Sequence, residues 1–249
     1  LLDADGNFIW GGHFAAVYDG DDPPDPPKIT DVEMDSDGRI YICGRFSDQS
    51  DFKPGDGEYY ITPTPGVTNN YILCLGPTGG FEWVRSVSAI EGSGGNIVIS
   101  GIAPNEFGDV YMVGYFNTEI DFDLGGPVHT IEATEGYGLF VLSMDVETAT
   151  VNWVQTIAGS GNDFGFDIIT NRSESEILLT GSSSSASLDL DPGVDSFEIS
   201  TLGDEDIIIA DLDLDGNFNW GTSVGGAGLD RGHYINSDNY DNVFIAGTY

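Results

Sequence analysis

Carboxylates two residues apart recur at fixed places in this chain. They are Asp121 and Asp123 in Asp121-Phe122-Asp123-Leu124-Gly125, Asp189 and Asp191 in Asp189-Leu190-Asp191-Pro192-Gly193, and Asp211, Asp213 and Asp215 ahead of Gly216. Side chains two apart in an extended chain point the same way, and a hard cation such as Ca²⁺ gathers roughly six to eight oxygens from carboxylates, carbonyls and water. Each Asp-x-Asp pair, with Asp195 close to the second, offers Ca²⁺ a few oxygens from a loop whose glycines free backbone carbonyls. Two departures weigh against the ion. Lys53 takes the second acidic place in the earliest copy, Asp51-Phe52-Lys53-Pro54-Gly55, and Thr222 stands where a calcium loop opening on Asp211 needs its last acid. Turn formation and solvated charge account for the same acids without a metal.

Other chemistry is thin. His13, His129 and His233 fall at unrelated places, and Gly92-Ser93-Gly94-Gly95 and Gly159-Ser160-Gly161 are followed by neither a lysine nor a helix, so they read as loops and not phosphate cradles. Glycoside chemistry needs two carboxylates at a set separation, and among 42 acids the sequence singles out no pair. Cys43 and Cys74 lie in apolar runs and read as small buried hydrophobes. With 42 Asp+Glu against 7 Lys+Arg the formal charge is −35, which repels phosphate backbones and anionic lipid and excludes nucleic-acid and membrane-surface roles. No apolar stretch approaches the roughly 18 residues of a membrane span. Leu1-Leu2-Asp3 offers neither an initiator methionine nor a signal peptide, so the chain is expected to begin inside a larger protein.

The elements that hold these residues repeat. Trp10, Trp83, Trp153 and Trp220 are spaced by 73, 70 and 67 residues, each in a run of the kind Gly216-Asn217-Phe218-Asn219-Trp220. Gly44, Gly114, Gly181 and Gly247 each close an apolar run such as Val110-Tyr111-Met112-Val113 and are 70, 67 and 66 apart. Asp51, Asp121 and Asp189 keep the same step, at 70 and 68. The runs are short, rich in Val, Ile, Tyr, Phe and Trp, and bounded by Gly, Asp, Asn and Pro, which reads as strands and tight turns with no helical period. In the unit 69–135 strands are expected near 70–76, 81–88, 96–102 and 110–116, with an extended piece near 128–133.

Runs such as Tyr41 to Cys43 and Ile207 to Ala210 are apolar without alternation, so their strands must be covered on both faces. Four-stranded sheets packed radially between like sheets have that property, and the expected fold is therefore all-β, a β-propeller of four-stranded blades of about 70 residues. The tryptophans would make contacts between blades, and the recurring glycines would let backbone or a bulky neighbour approach. The whole of 1–249 reads as one repeat region with units 1–68 (partial), 69–135, 136–203 and 204–249 (partial), about 3.5 blades and an open fragment of a larger ring. Uncovered terminal blades predict dimerisation or aggregation of the isolated chain.

Leu212-Asp213-Leu214-Asp215-Gly216-Asn217-Phe218-Asn219-Trp220, then Gly225-Gly226-Ala227-Gly228-Leu229-Asp230-Arg231-Gly232, then Asp241-Asn242-Val243-Phe244-Ile245-Ala246-Gly247, resembles the SBBP-type bacterial β-propeller repeat. The Asp121-Phe122-Asp123 and Asp189-Leu190-Asp191-Pro192-Gly193 loops resemble its longer variant in secreted proteins of Bacteroidetes-type bacteria. The resemblance implies a large extracellular or cell-surface protein. The first unit departs from it, with Asp21-Asp22-Pro23-Pro24-Asp25-Pro26-Pro27 in place of the glycine-rich loop.

Function is therefore expected to be non-enzymatic binding, adhesion or display toward a glycan or protein, with Ca²⁺ as the one candidate ion and the remaining blades of the parent chain as partners. The alternative is part of a carbohydrate-active hydrolase or lyase with its site on the propeller axis. An enzyme needs carboxylates converging in a central funnel, whereas a display module disperses them. Phe107, Tyr137, Phe164 and Tyr240, expected in loops at one rim, would suit sugar stacking under either reading, while packing between blades is the expected role of most of them.

Overall fold

The computed structural model describes residues 1–2, 4–17, 25–122, 130–131 and 136–249, and among these every regular element is a strand. β1 (Ala15–Ala16) is a short outlier. β2 (Lys28–Met34) and β3 (Ile40–Phe46) form a hairpin, β4 (Ser50–Asp51) and β5 (Tyr60–Ile61) a small excursion beside β1, and β6 (Asn69–Leu75) with β7 (Phe81–Ser88) complete an antiparallel sheet ordered β2-β3-β6-β7. The plan then repeats. β8 (Ile97–Pro104) and β9 (Asp109–Phe116), the excursion β10 (Ile120–Asp121) and β11 (Thr130–Ile131), and β12 (Gly138–Asp145) with β13 (Thr150–Ile157) make the second sheet. β14 (Asp163–Thr170) and β15 (Glu176–Ser183), the excursion β16 (Leu188–Asp189) and β17 (Glu198–Ile199), and β18 (Asp206–Asp213) with β19 (Phe218–Val224) make the third. β20 (Arg231–Ser237) and β21 (Val243–Thr248) pair as a final hairpin.

The strands expected in 69–135 are present as β6, β7, β8 and β9, but they do not form one sheet: β6 and β7 close the first sheet, while β8 and β9 open the second. Sequence period and sheet are thus out of phase by half a unit. The period was legible because it repeats in residue type, while pairing partners lie on either side of an excursion that local patterning does not reveal.

Continuous apolar runs are explained by burial on two faces. In β9, Val110 and Met112 join the core shared with the first sheet, while Tyr111 and Val113 join the core shared with the third. β12 divides likewise, with Phe140, Leu142 and Met144 on one side and Leu139 and Val141 on the other. Cys43 and Cys74 are buried and unpaired, as small hydrophobes would be.

Turns are set by side chains that accept their own backbone. Asn105 Oδ1 accepts the N–H groups of Phe107 and Asp109, and Asp238 Oδ1 those of Tyr240 and Asn242, both within hairpins that reverse through a positive φ at Gly108 (95°) or Asp241 (58°). Asp35, Asn171 and Asp213 repeat the device.

The recurring glycines answer to close approach. A Cβ on Gly44 would lie 2.0 Å from Lys28 O, on Gly114 2.0 Å from Val98 O, on Gly181 1.8 Å from Phe164 O and on Gly247 1.8 Å from Arg231 O. Each glycine faces a bulge in the first strand of its sheet, where one extra residue pushes backbone toward it.

Candidate functional site

The bulges place four extra residues, Thr30, Ser100, Phe166 and His233, in the same slot of β2, β8, β14 and β20. These first strands lie against one another from sheet to sheet, and the four residues line a cleft of about 350 Å³ together with Asp31, Glu33 and Asp167. Thr30 Oγ1 donates to Ile99 O at 2.9 Å and Ser100 Oγ to Gly165 O at 2.7 Å, so each bulge hydroxyl ties its strand to the next sheet. Next to them, Asp31 Oδ2 accepts the Ile102 N–H at 2.9 Å, and Asp167 Oδ2 accepts the Ile235 N–H at 2.8 Å. The other oxygen of each carboxylate accepts the following residue's N–H, Val32 or Ile168.

Burial pushes the Asp167 carboxyl up to about 6, against the Ile235 and Ile168 N–H bonds and helped by the charge of Asp31. Burial raises Asp31 too, and Glu33 at the cleft rim is raised by partial burial and by the charges of Asp31 and Asp167. An aromatic row leads into the same space. Tyr115 meets Phe164 edge-on at 4.9 Å, Phe164 stacks on Phe166 at 5.9 Å, and Phe166 meets His233 at 5.5 Å.

The bulge slot has a sequence signal. Thr30, Ser100, Phe166 and His233 stand 14, 14, 15 and 14 residues before Gly44, Gly114, Gly181 and Gly247. Reading histidines as a class hid this, because the slot conserves position within the repeat and not residue type. The four rim aromatics do not share a rim: Phe107 and Tyr240 sit in turns that end first strands, whereas Phe164 lies at a first strand's start and Tyr137 beside it.

The acidic loops are hairpin tips. Asp189 Oδ1 accepts the N–H groups of Asp191 (3.1 Å) and Phe197 (2.7 Å), and Asp51 Oδ1 accepts those of Lys53 (3.0 Å) and Tyr59 (2.8 Å). The first carboxylate therefore does the same work whether Asp or Lys follows. Burial opposes ionisation of Asp189, but the Phe197 and Asp191 N–H groups and the Ser196 hydroxyl together hold its carboxyl below the usual range. The residue between the acids is a plug: Phe52, Phe122 and Leu190 are fully buried, with Phe52 4.6 Å from the Tyr71 ring and Phe122 5.1 Å from Phe140.

Asp191 Oδ1 accepts the Gly193 N–H, Asp195 is exposed, Asp121 ends β10, and Asp123 lies outside the described residues. Asp211 is buried and accepts from Asn219 Nδ2 at 2.7 Å, with burial raising its carboxyl to about 6, while Asp213 is saturated by its own turn and Asp215 is exposed. Among the described residues no three His, Cys, Asp or Glu side chains converge in a way that would hold a metal. No protein-family model matches the chain, and no curated protein matches it. The likeness to SBBP repeats thus rests on the repeated residues alone.

Proposed function

We propose that the chain is a run of β-propeller blades, of the SBBP-like kind, forming a non-enzymatic binding or display module of a secreted or cell-surface bacterial protein. Further blades of its parent chain are its structural partners, and a glycan or protein segment is its ligand. The propeller reading is supported by three four-stranded sheets in series, each first strand against the next. The observation that carries the binding reading is the occupation of the cleft's carboxylates. Both oxygens of Asp31 and of Asp167 accept backbone N–H groups, one from the neighbouring sheet, so these acids already have a structural task, holding sheets together, that accounts for their place in the cleft. The aromatic row ending at Phe166 and His233 supplies stacking surface beside them.

A hydrolase or lyase is the second reading, favoured by the convergence of Asp31, Glu33 and Asp167 on one cleft. One experiment separates the two: a panel of polysaccharides and extracellular proteins is screened for binding and for released reducing ends. Retention that is weakened about tenfold by Phe166→Ala, with no products formed, is the expected result. Product release abolished by Asp167→Asn would establish the enzyme instead.

A further inference from the structure

The third strands of the three sheets begin at Asn69, Gly138 and Asp206. Asn69 is satisfied on every side: Oδ1 accepts the Thr64 N–H at 2.8 Å, and Nδ2 donates to the carbonyls of Thr64 (2.9 Å) and Val67 (3.0 Å). Asp206 keeps half of that arrangement. Its Oδ2 accepts the Leu202 N–H at 2.6 Å, while Oδ1, which corresponds to the donating nitrogen of Asn69, has no partner. Asp206 is only 2% exposed, so the oxygen is sealed from bulk water. A buried acceptor without a donor is costly, and an ionised one more so.

What lies over this oxygen is the glycine-rich loop before β20. A Cβ on Gly225 would stand 2.4 Å from Asp206 Oδ1 and 2.5 Å from its Cγ, so the loop backbone lies directly over the carboxylate and only glycine fits there. The loop carrying Asp206 meets it closely, since a Cβ on Gly203 would stand 2.5 Å from Gly226 O. Glu205 (4% exposed) and Asp230 (3%) flank the place. Glu205 is paired with Arg231, and Asp230 Oδ2 accepts the Gly226 N–H at 2.7 Å. Three buried acids thus meet one guanidinium among the described residues.

We propose that Asp206 Oδ1 is the carboxylate ligand of a hard metal cation, of which Ca²⁺ is the representative, seated between the 202–206 loop and the 225–230 loop and completed by their backbone carbonyls. The cation takes the place of the amide hydrogens that Asn69 supplies in the first sheet. A single carboxylate with carbonyls is a ligand set distinct from the Asp-x-Asp hairpin tips, with Glu205 and Asp230 engaged elsewhere.

The test compares thermal melting and Ca²⁺ titration calorimetry of the full 249-residue chain with its Asp206→Asn and Asp189→Asn variants. Saturating Ca²⁺ is expected to raise the melting temperature of the parent chain by about 5 °C over EDTA, with one equivalent bound. Asp189→Asn should keep that response. Asp206→Asn should lose both the shift and the binding, yet melt above the parent in EDTA, because an amide there repeats Asn69. An unchanged parent in Ca²⁺ and EDTA overturns the proposal, as does a response that survives Asp206→Asn or disappears with Asp189→Asn.

Discussion

Asp31 and Asp167 occupy equivalent positions two sheets apart, and Gly101 holds that position between them, where a Cβ would lie 3.1 Å from the Asp167 Cα. A side chain at Gly101 would hold β8 and β14 apart, so the strand-to-strand tie in the second sheet passes to the Ser100 hydroxyl. The carboxylates that do form ties carry a pH signature. Asp167 and Asp211 are raised from 3.8 to about 6, so the folded state binds their protons more readily than the unfolded state does. Their contribution to stability is fully present below pH 4 and is lost as pH rises through about 6. Asp145 and Asp238 are lowered by their turn hydrogen bonds, so their contribution disappears instead as pH falls below the ordinary carboxylate range. Melting temperature is therefore expected to rise from pH 7 to about pH 5 and to drop at stronger acidity. Asp167→Asn and Asp211→Asn together should shrink the rise between pH 7 and 5, with Asp31 and Glu33, also raised, carrying the remainder, and leave the acid limb in place; a rise of undiminished size in the double variant would refute the assignment. Neither group could be chosen from 42 acids by sequence, because what distinguishes them is burial set by packing: Asp167 is met by Ile235 of the last hairpin, 68 residues away, and Asp211 lies within the third sheet.

Hairpins were the most legible elements, since Asp or Asn followed by a left-handed residue writes the turn locally. The degree of fit varies between turns. Gly108 takes φ 95° without strain, whereas Asp241 takes φ 58° with a side chain attached. Asp241→Gly is expected to relieve roughly 1 kcal/mol and raise the melting temperature by about 2–4 °C. Gly114→Ala should do the reverse and cost more than about 4 kcal/mol, because its Cβ would collide with backbone at Val98 O and not with a movable side chain. Denaturant melts of the two variants check both signs, and a tolerated Gly114→Ala would mean that the bulge relaxes. The bulges themselves were invisible as single residues. A bulge is a mismatch between two strands, and only its offset of 14 or 15 residues from the recurring glycine betrays it.

At the scale of the whole molecule, the sheets are joined by a repeated contact. Trp83 Nε1 in β7 donates to Val146 O at the β12–β13 turn (2.9 Å), and Trp153 Nε1 in β13 donates to Leu214 O at the β18–β19 turn (3.1 Å). The tryptophan repeat predicted this contact. Trp220, the next in the series, is 41% exposed, and Ile29, Val32 and Met34 on β2 and Tyr234 and Phe244 on the last hairpin are each more than half exposed. Apolar surface of this kind drives association. Sedimentation of the chain is expected to show concentration-dependent self-association that Val32→Lys with Phe244→Lys reduces to monomer; a monomer at every concentration would contradict it. Six of the hydrogen bonds that bridge sheets share a sequence span close to one period: 63 and 61 residues for the two tryptophans, 69 and 65 for Thr30 and Ser100, 71 and 68 for Asp31 and Asp167; the shorter ones at Asn70, across 27 and 29 residues, reach the same following sheet. Each tie reaches the following sheet and stops. During synthesis, a completed sheet would wait for only one further period of nascent chain before its outer face is covered, so the molecule can assemble vectorially, one sheet behind the ribosome.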